Sequence, residues 1–537
     1  MQVITTNRKS NLFFNKSTVL GPLFALLFGL LVAASLLLSP FSAIAQPDKP
    51  DSPPSDLSDL DAVLEGFEEP TEEPTKEPTA QVPAQEADEL NTELDAVLDG
   101  FGEEDVQGGE PDIKEQVKPS DSSWFPDWLS IDGWLQFGTT YNFAHDAPTE
   151  GRTDWRGFSK ARTDLQLNLQ ARFSDAWSAK IGGKAFYDGI YSLQGRGEYT
   201  SSVLDEYEDE VELREAYVQG KLSDKLDLTI GRQIVVWGKS DNIRITDVLN
   251  PLDMREPGMT DIEDLRLPLI MSKLDYYFGN WELSGIAVHE INFNKTPVYG
   301  YDFYPADQVA PPADEPKSSL ENTEWALSLS GIFTGWDLDL YYARVFNDTA
   351  HLEYVLYDDD STEIRQKHER LHLFGFAYNK ALGNWLLKGE GAVLNRVQYS
   401  NRPGIGYTGY TRFDALVGAE YSGFSETTLS LEFANRHINN HRPSLEAFPD
   451  SVQQDMYQVA FRGTRDFFND TMKLSVLVML YGPSAADGAF ERLALDYALT
   501  DTVTIRGGAV LYQTGNLSTM QKVGKNDRVF AELRYSF

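Results

Sequence analysis

A chain of 537 residues with a formal net charge of −37 and no cysteine has no disulfide framework and no thiol-based site. Its acidic balance argues against direct nucleic-acid binding, which needs a basic stripe. More than half of the negative excess sits in residues 46–123, which hold 24 acidic side chains against four lysines.

At the amino terminus Arg8, Lys9 and Lys16 precede an apolar run over 19–38 and then Ala43-Ile44-Ala45. This is the pattern of an export signal over 1–45, cleaved before Gln46. The run is also long enough to cross a bilayer as an uncleaved anchor, and in both cases the chain leaves the cytoplasm. No later stretch approaches a helical span, so any further embedding requires a closed β-barrel.

Residues 46–123 are rich in Pro, Glu, Asp, Thr and Ser and cannot bury a core, which predicts a disordered periplasmic segment. One motif occurs in it twice, DLDAVLEGFEE over 59–69 and ELDAVLDGFGEE over 93–104. Leu60, Val63, Leu64 and Phe67, and again Leu94, Val97, Leu98 and Phe101, fall at i, i+3, i+4 and i+7. That spacing makes one apolar face of a short helix, the form of a helix-in-groove ligand for a periplasmic partner or exporter component. The competing reading is a duplicated spacer with incidental apolar residues.

From Trp124 to Phe537 the pattern is strand after strand. Ala161, Thr163, Leu165, Leu167, Leu169, Ala171 and Phe173 alternate with Arg162, Asp164, Gln166, Asn168, Gln170 and Arg172. One face suits lipid and the other water. Similar segments lie near 131–143, 177–187, 211–220, 225–235, 268–278, 281–293, 323–333, 336–346, 370–379, 384–395, 412–421, 427–436, 455–465, 471–481, 489–500, 502–513 and 527–537. The pattern predicts an all-β protein, a transmembrane antiparallel β-barrel of about 18 strands.

Tight links near 174–176, 279–280, 334–335, 380–383 and 466–470 alternate with long ones at 144–160, 188–210, 236–267, 294–322, 347–369 and 437–454. Short periplasmic turns alternating with long external loops put both termini in the periplasm. Trp177, Trp281, Trp336 and Trp385 each follow a tight turn with outward parity, a candidate aromatic girdle. The last strand ends on Tyr535, Ser536 and Phe537. A terminal Phe with an aromatic two residues earlier resembles the signal read by the outer-membrane barrel assembly machinery.

The segment GRQIVVWGKSDNIRITDVLNPLDMREPG from Gly231, followed by DLRLPLIMSKLDYYFGNWEL, resembles domain-of-unknown-function family 1302 of proteobacterial outer-membrane proteins. The matching elements are Gly231-Arg232-Gln233, Trp237-Gly238, Asn250-Pro251-x-Asp253 and the strand over 268–274. The resemblance covers the barrel from about residue 130 and leaves the acidic tail outside the shared pattern. It implies work beside resistance-nodulation-division-type exporters and periplasmic lipoproteins in moving lipids or other hydrophobic compounds.

Read from its residues, the long connection after the fifth strand starts near Trp237 and carries both charge signs. Arg232, Lys239, Asp241, Arg244, Asp247, Asp253, Arg255, Glu256, Asp261, Glu263, Asp264 and Arg266 can pair inside a constriction, where buried charges need partners. Asn250-Pro251 and Pro257-Gly258 supply turns that make the loop a defined object. It serves either as a pore constriction or as a brace for the barrel. Arg232 shares the outward parity of Leu226, Leu228 and Ile230, so a pore role needs a bulge at Gly231. Arg162, Arg172, Lys180, Lys184 and Arg214 form a candidate basic lumen wall that favours anionic or amphiphilic solutes. Asp164, Glu212 and Asp227 project from the same strands and compete with that reading.

Catalytic signals are weak. The histidines at 145, 289, 351, 368, 372, 437 and 441 form no recognisable set, and His368 and His372 lie far apart if the segment is extended. His145-Asp146 and the acidic run over 358–360 read as loop polarity. No cofactor and no metal is expected. The sequence thus predicts a Gram-negative outer-membrane channel or transport barrel, not an enzyme, for small hydrophobic or amphiphilic molecules. An enzyme at the external rim, betrayed by a convergent acid–base cluster, and a surface-interaction barrel with a sealed lumen are the alternatives.

Overall fold

The computed structural model describes residues 126–260, 262–356, 362–400, 407–446 and 451–537. The expected signal over 1–45 and the acidic segment over 46–123, with both repeats, lie outside the described residues.

Among the described residues an 18-stranded antiparallel sheet closes on itself, because its first strand pairs with both the second and the last. In chain order the strands are β1 (Leu129–Asn142), β2 (Gly157–Arg172), β3 (Trp177–Asp188), β4 (Asp209–Ser223), β5 (Leu226–Gln233), β6 (Leu269–Phe278), β7 (Trp281–Val288), β8 (Glu324–Phe333) and β9 (Trp336–Phe346). They continue as β10 (Arg370–Leu382), β11 (Trp385–Tyr399), β12 (Thr408–Phe424), β13 (Thr427–Ile438), β14 (Asp455–Phe467), β15 (Met472–Tyr481), β16 (Gly488–Thr500), β17 (Val503–Gln513) and β18 (Arg528–Ser536). Among the described residues no helix is long and apolar enough to cross a membrane, and the crossing elements are the strands.

Period-two alternation builds the wall. Leu165, Leu167 and Leu169 on β2 are exposed on the outside, as are Phe374 and Phe376 on β10 and Val417 on β12. Their alternates face the lumen. Leu371 and Leu373 on β10 and Ala343 and Val345 on β9 are 3 % exposed or less. At the short-turn end the outer face carries an aromatic girdle: Trp281 meets Phe333 edge-on, Phe333 stacks on Trp336, and Trp385 packs on Tyr421. Trp177 lies over Gly220, where any side chain would collide with its ring. At the closure Phe537 exchanges backbone hydrogen bonds with Gly133, and Tyr535 and Phe537 are half exposed.

At the opposite end the long connections carry structure that the strand pattern did not announce. The 189–208 loop holds α1 (Ile190–Gln194) and α2 (Ser201–Tyr207), and α3 (Ile262–Leu265) precedes β6. Three short strands, Ala313–Asp314, His351–Leu356 and Thr362–Lys367, form a separate small sheet in the loops.

Candidate functional site

After Gln233 the chain leaves the wall and enters the lumen. Gly231 sits at φ 134°, and a Cβ there would lie 2.2 Å from the Ala216 carbonyl oxygen, so the last turn of β5 accepts only glycine. Val235, Trp237, Ile243, Ile245 and Leu249 then pack on the inward side chains of β9, β10, β11 and β13 in one buried cluster. Trp237 stacks on Tyr341 at 4.7 Å, and the Gly238 N–H donates to the Tyr341 hydroxyl at 3.2 Å.

Two carboxylates on the far wall anchor this plug. Glu390 of β11 accepts the backbone N–H groups of Lys239 (2.6 Å), Ser240 (2.8 Å) and Thr246 (3.2 Å), together with the Thr246 hydroxyl. Glu432 of β13 accepts the N–H groups of Asp241 (2.8 Å) and Asn242 (3.2 Å) and the Ser240 hydroxyl (2.9 Å). Both are buried, Glu432 completely. A carboxylate is acceptor-only, so a cluster of peptide N–H groups satisfies it where water is excluded. Gly238 has φ 88°, and a Cβ there would meet the Glu390 carboxylate at 2.7 Å.

Of the loop charges expected to pair, Lys239, Asp241, Arg244, Asp247, Asp253, Arg255, Glu256 and Arg266 do so. Lys239 meets Asp339 at 3.1 Å, Asp241 meets Lys388, and Asp247 is held by both Arg244 (3.1 Å) and Arg266 (2.9 Å). The Asn250 amide links both ends of the loop, accepting from the Val235 N–H and donating to the Leu267 carbonyl at 2.8 Å each. Arg255 joins Asp253 to Glu210 of β4. Glu256 joins Lys160 of β2 at 2.6 Å and accepts from the Tyr301 hydroxyl. Burial alone would raise the Glu256 carboxyl, but the charges of Lys160 and Arg162 and these hydrogen bonds outweigh it and hold it at about 2. Asp261 lies outside the described residues.

Arg232 is the exception. It pairs across the sheet with Ala216 and with the exposed, outward Ile270, and no bulge re-aims it. Its place is therefore the outer face, not the pore. There its guanidinium donates to the Leu213 carbonyl of β4 at 2.7 Å and pairs with Glu290. It stands beside an interruption of the wall. β4 pairs with β3 as far as Asp209, but its last pair with β5 is Ala216, so residues 209–215 have one edge without a strand partner. A cavity of about 440 Å³ opens at that edge. Its lining includes Val211 and Leu213, which are 85 % and 49 % exposed, and also Glu212, Arg232, Leu267 and Lys295. Lys295 belongs to the lumen side, since its backbone bonds the plug at Leu252 and Met254.

The basic wall is present and compensated. Arg162 lies on Asp164 at 2.7 Å, Lys180 on Glu215 at 2.6 Å, Lys184 near Asp164 at 3.9 Å and Arg214 near Glu212 at 3.4 Å. Arg172 is exposed at the end of β2. The strip is a ladder of mixed sign. His368 stacks on Phe293 while His372 contacts the Tyr342 hydroxyl, so the two have different partners although both line one cavity. The 358–360 run lies outside the described residues, and among the described residues no group of three or more His, Cys, Asp or Glu could hold a metal. Sequence reasoning passed over Glu390 and Glu432, whose only signal was a carboxylate at inward parity between small and aliphatic residues.

A closed sheet with an outward apolar face and a lumen plug is the architecture of a membrane-spanning β-barrel. The chain belongs to the family described as protein of unknown function (DUF1302), whose model matches residues 28–537. That match starts far upstream of β1, so the acidic segment does not lie outside the shared region as the motif alone suggested. A comparison with curated proteins found no match. Solved structures similar to the chain include OccK9 (OpdG) of Pseudomonas aeruginosa, 12% identical, with a TM-score of 0.44 over 76% of this chain and 97% of that one. OccAB2 of Acinetobacter baumannii is 10% identical, with a TM-score of 0.45 over 78% and 99%. OmpF of Salmonella typhi, in complex with daunomycin, is 9% identical, with a TM-score of 0.38 over 76% and 97%.

Proposed function

We propose that the protein is an outer-membrane transport barrel, without chemistry of its own, that passes small hydrophobic or amphiphilic molecules between the membrane and its lumen through the opening beside β4. The observation that supports this reading is the cavity lined from both sides of the wall, by outward Val211 and Leu213 and by lumen-side Glu212 and Lys295. Moving an alkyl chain into water costs about 0.8 kcal/mol per methylene, so a route that starts in lipid spares an apolar solute the hydrated loops. The plug obstructs the axial route. In this reading the repeats at 59–69 and 93–104 bring a periplasmic partner to the barrel.

The test is uptake of a fluorescent single-chain amphiphile by proteoliposomes carrying the full chain or Leu213→Trp. A tryptophan is tolerated on a lipid-facing wall and fills the mouth of the opening. Uptake falls several-fold while small-ion conductance stays as in the wild type; undiminished uptake by a folded variant sinks the lateral route. For the repeats, a peptide of residues 59–69 retains a periplasmic partner in pulldown, and Leu64→Asp with Phe67→Asp loses it. Equal recovery by both peptides leaves a spacer.

A further inference from the structure

We infer that the outer wall of the barrel, at its long-loop rim, carries a binding site for the phosphate-bearing headgroup of a membrane lipid, built by Arg344 of β9, Arg370 and His372 of β10 and Arg396 of β11. The inference rests on the membrane reading of the barrel and is independent of the transport route.

Cross-strand register sets the facing of these side chains. Arg344 stands opposite Trp325 on one side and His372 on the other, His372 stands opposite Asn395, and Arg370 stands opposite Phe346. Their sequence neighbours Ala343, Val345, Leu371 and Leu373 are the buried, inward set, so the basic residues face out. Arg396 is the extra residue of a bulge, where the β11–β12 register shifts and φ is 69°. It thus joins the outward group instead of taking its turn in the alternation.

Beside and below them on the same face lie Trp325, Leu327, Leu340, Phe374 and Phe376, all exposed. The patch therefore meets hydrocarbon on one side and water on the other, which is where a headgroup sits.

The charges there have no ion-pair partner on the strands, although Glu324 of β8 lies near enough to act on Arg370. Among the described residues Arg344 and Arg396 have no hydrogen-bond or ion-pair partner, and Arg370 donates only to neutral acceptors, the carbonyls of Thr323 and Glu321 and the Asn322 side chain. The four basic side chains and Phe346 line one cavity of about 520 Å³. Its acidic members, Asp314, Glu315 and Glu369, belong to the loops above, and Lys367 already meets Asp314 at 3.8 Å. On a chain of net charge −37, an outward cluster of three arginines at headgroup level is complementary to one class of occupant. That occupant is a lipid whose phosphate oxygens accept from guanidinium forks and whose chains lie on the aromatic band.

The experiment reconstitutes the full chain in zwitterionic phospholipid vesicles containing a bis-phosphorylated glycolipid, extracts it gently and counts the glycolipid retained by native mass spectrometry. Wild type retains it, and R344Q with R396Q loses retention about tenfold, whereas R344K with R396K keeps most of it. Both pairs are surface changes, and heat-modifiable mobility confirms that each barrel is folded. Equal retention by R344Q/R396Q overturns the site. Equal retention of the dephosphorylated glycolipid overturns phosphate recognition. Stabilisation by inorganic phosphate alone that matches the glycolipid overturns a lipid as the occupant. Amphiphile uptake is unchanged in R344Q/R396Q, so failure of the transport reading and failure of this site are seen separately.

Discussion

Glu432 concentrates the plug's attachment in one side chain. Its two oxygens accept two peptide N–H groups and one hydroxyl, and it is fully buried. Glu432→Gln keeps the volume but turns an N–H₂ donor toward N–H donors, so it removes acceptors and adds a repulsive contact. Charge-assisted bonds contribute about 1.5–3 kcal/mol each, and leaving their donors unpaired adds to the loss. The barrel, held by its strand ladders, stays folded while the plug loosens. Hydrogen exchange at the amides of 239–242 should rise by at least about tenfold, with a larger ion conductance; unaltered exchange would mean that Glu390 alone holds the plug. The pairing of the loop charges was legible in the sequence because buried ions need partners. The identity of Glu390 and Glu432 as partners was not, because a carboxylate that binds backbone N–H groups leaves no complementary residue type to look for. Arg232 was expected among the pore-loop charges, and the structure instead follows the strict alternation that stood against that placing. Its purpose there, capping the free edge of β4, depends on a strand pair that is missing.

Among the elements, the strands were the most readable part of the chain. Lipid on one side and a hydrated or packed lumen on the other write a period of two into every wall segment, and eighteen segments became an 18-stranded sheet. Boundaries were misjudged at the opening and also away from it, where β12 runs from Thr408 to Phe424 against an expected 412–421. The alternation over 281–293 suggested a strand to residue 293, yet β7 ends at Val288, because Ile291 and Phe293 continue the pattern after the chain has left the wall. The alternation over 211–220 understated β4, which runs from Asp209 to Ser223. A long β4 beside a short β5 leaves one edge of residues 209–215 without a strand partner, and alternation cannot reveal it, since a strand with one neighbour alternates as well as a strand with two. The helices α1 and α2 went unseen for a different reason. They are 5 and 7 residues long and are held by packing of Tyr191, Val203 and Tyr207 into the lumen cluster, not by an amphipathic pattern long enough to read.

At the scale of the whole molecule, plug and opening divide the work, and the division can be measured. The loop crosses the lumen from β5 to β11 and β13, so deleting residues 241–264 removes most of what it inserts, including Asp241, Arg244, Asp247 and Asn250. If the loop is a constriction, single-channel conductance of the deletion variant exceeds that of the wild type several-fold; a folded barrel with unchanged conductance makes the loop a brace. The informative experiment combines this deletion with Leu213→Trp. With the plug in place, amphiphile uptake depends on the gap, so Leu213→Trp lowers it. With the plug deleted, the lumen offers a second, axial path, and the same substitution should have little effect on uptake. The two changes are then strongly non-additive although Leu213 faces outward and the anchors Glu390 and Glu432 lie across the lumen. An equal loss in both proteins would mean that solute enters through the gap whether or not the plug is present, and no loss in either would make the lateral opening a structural gap in the wall with no share in transport.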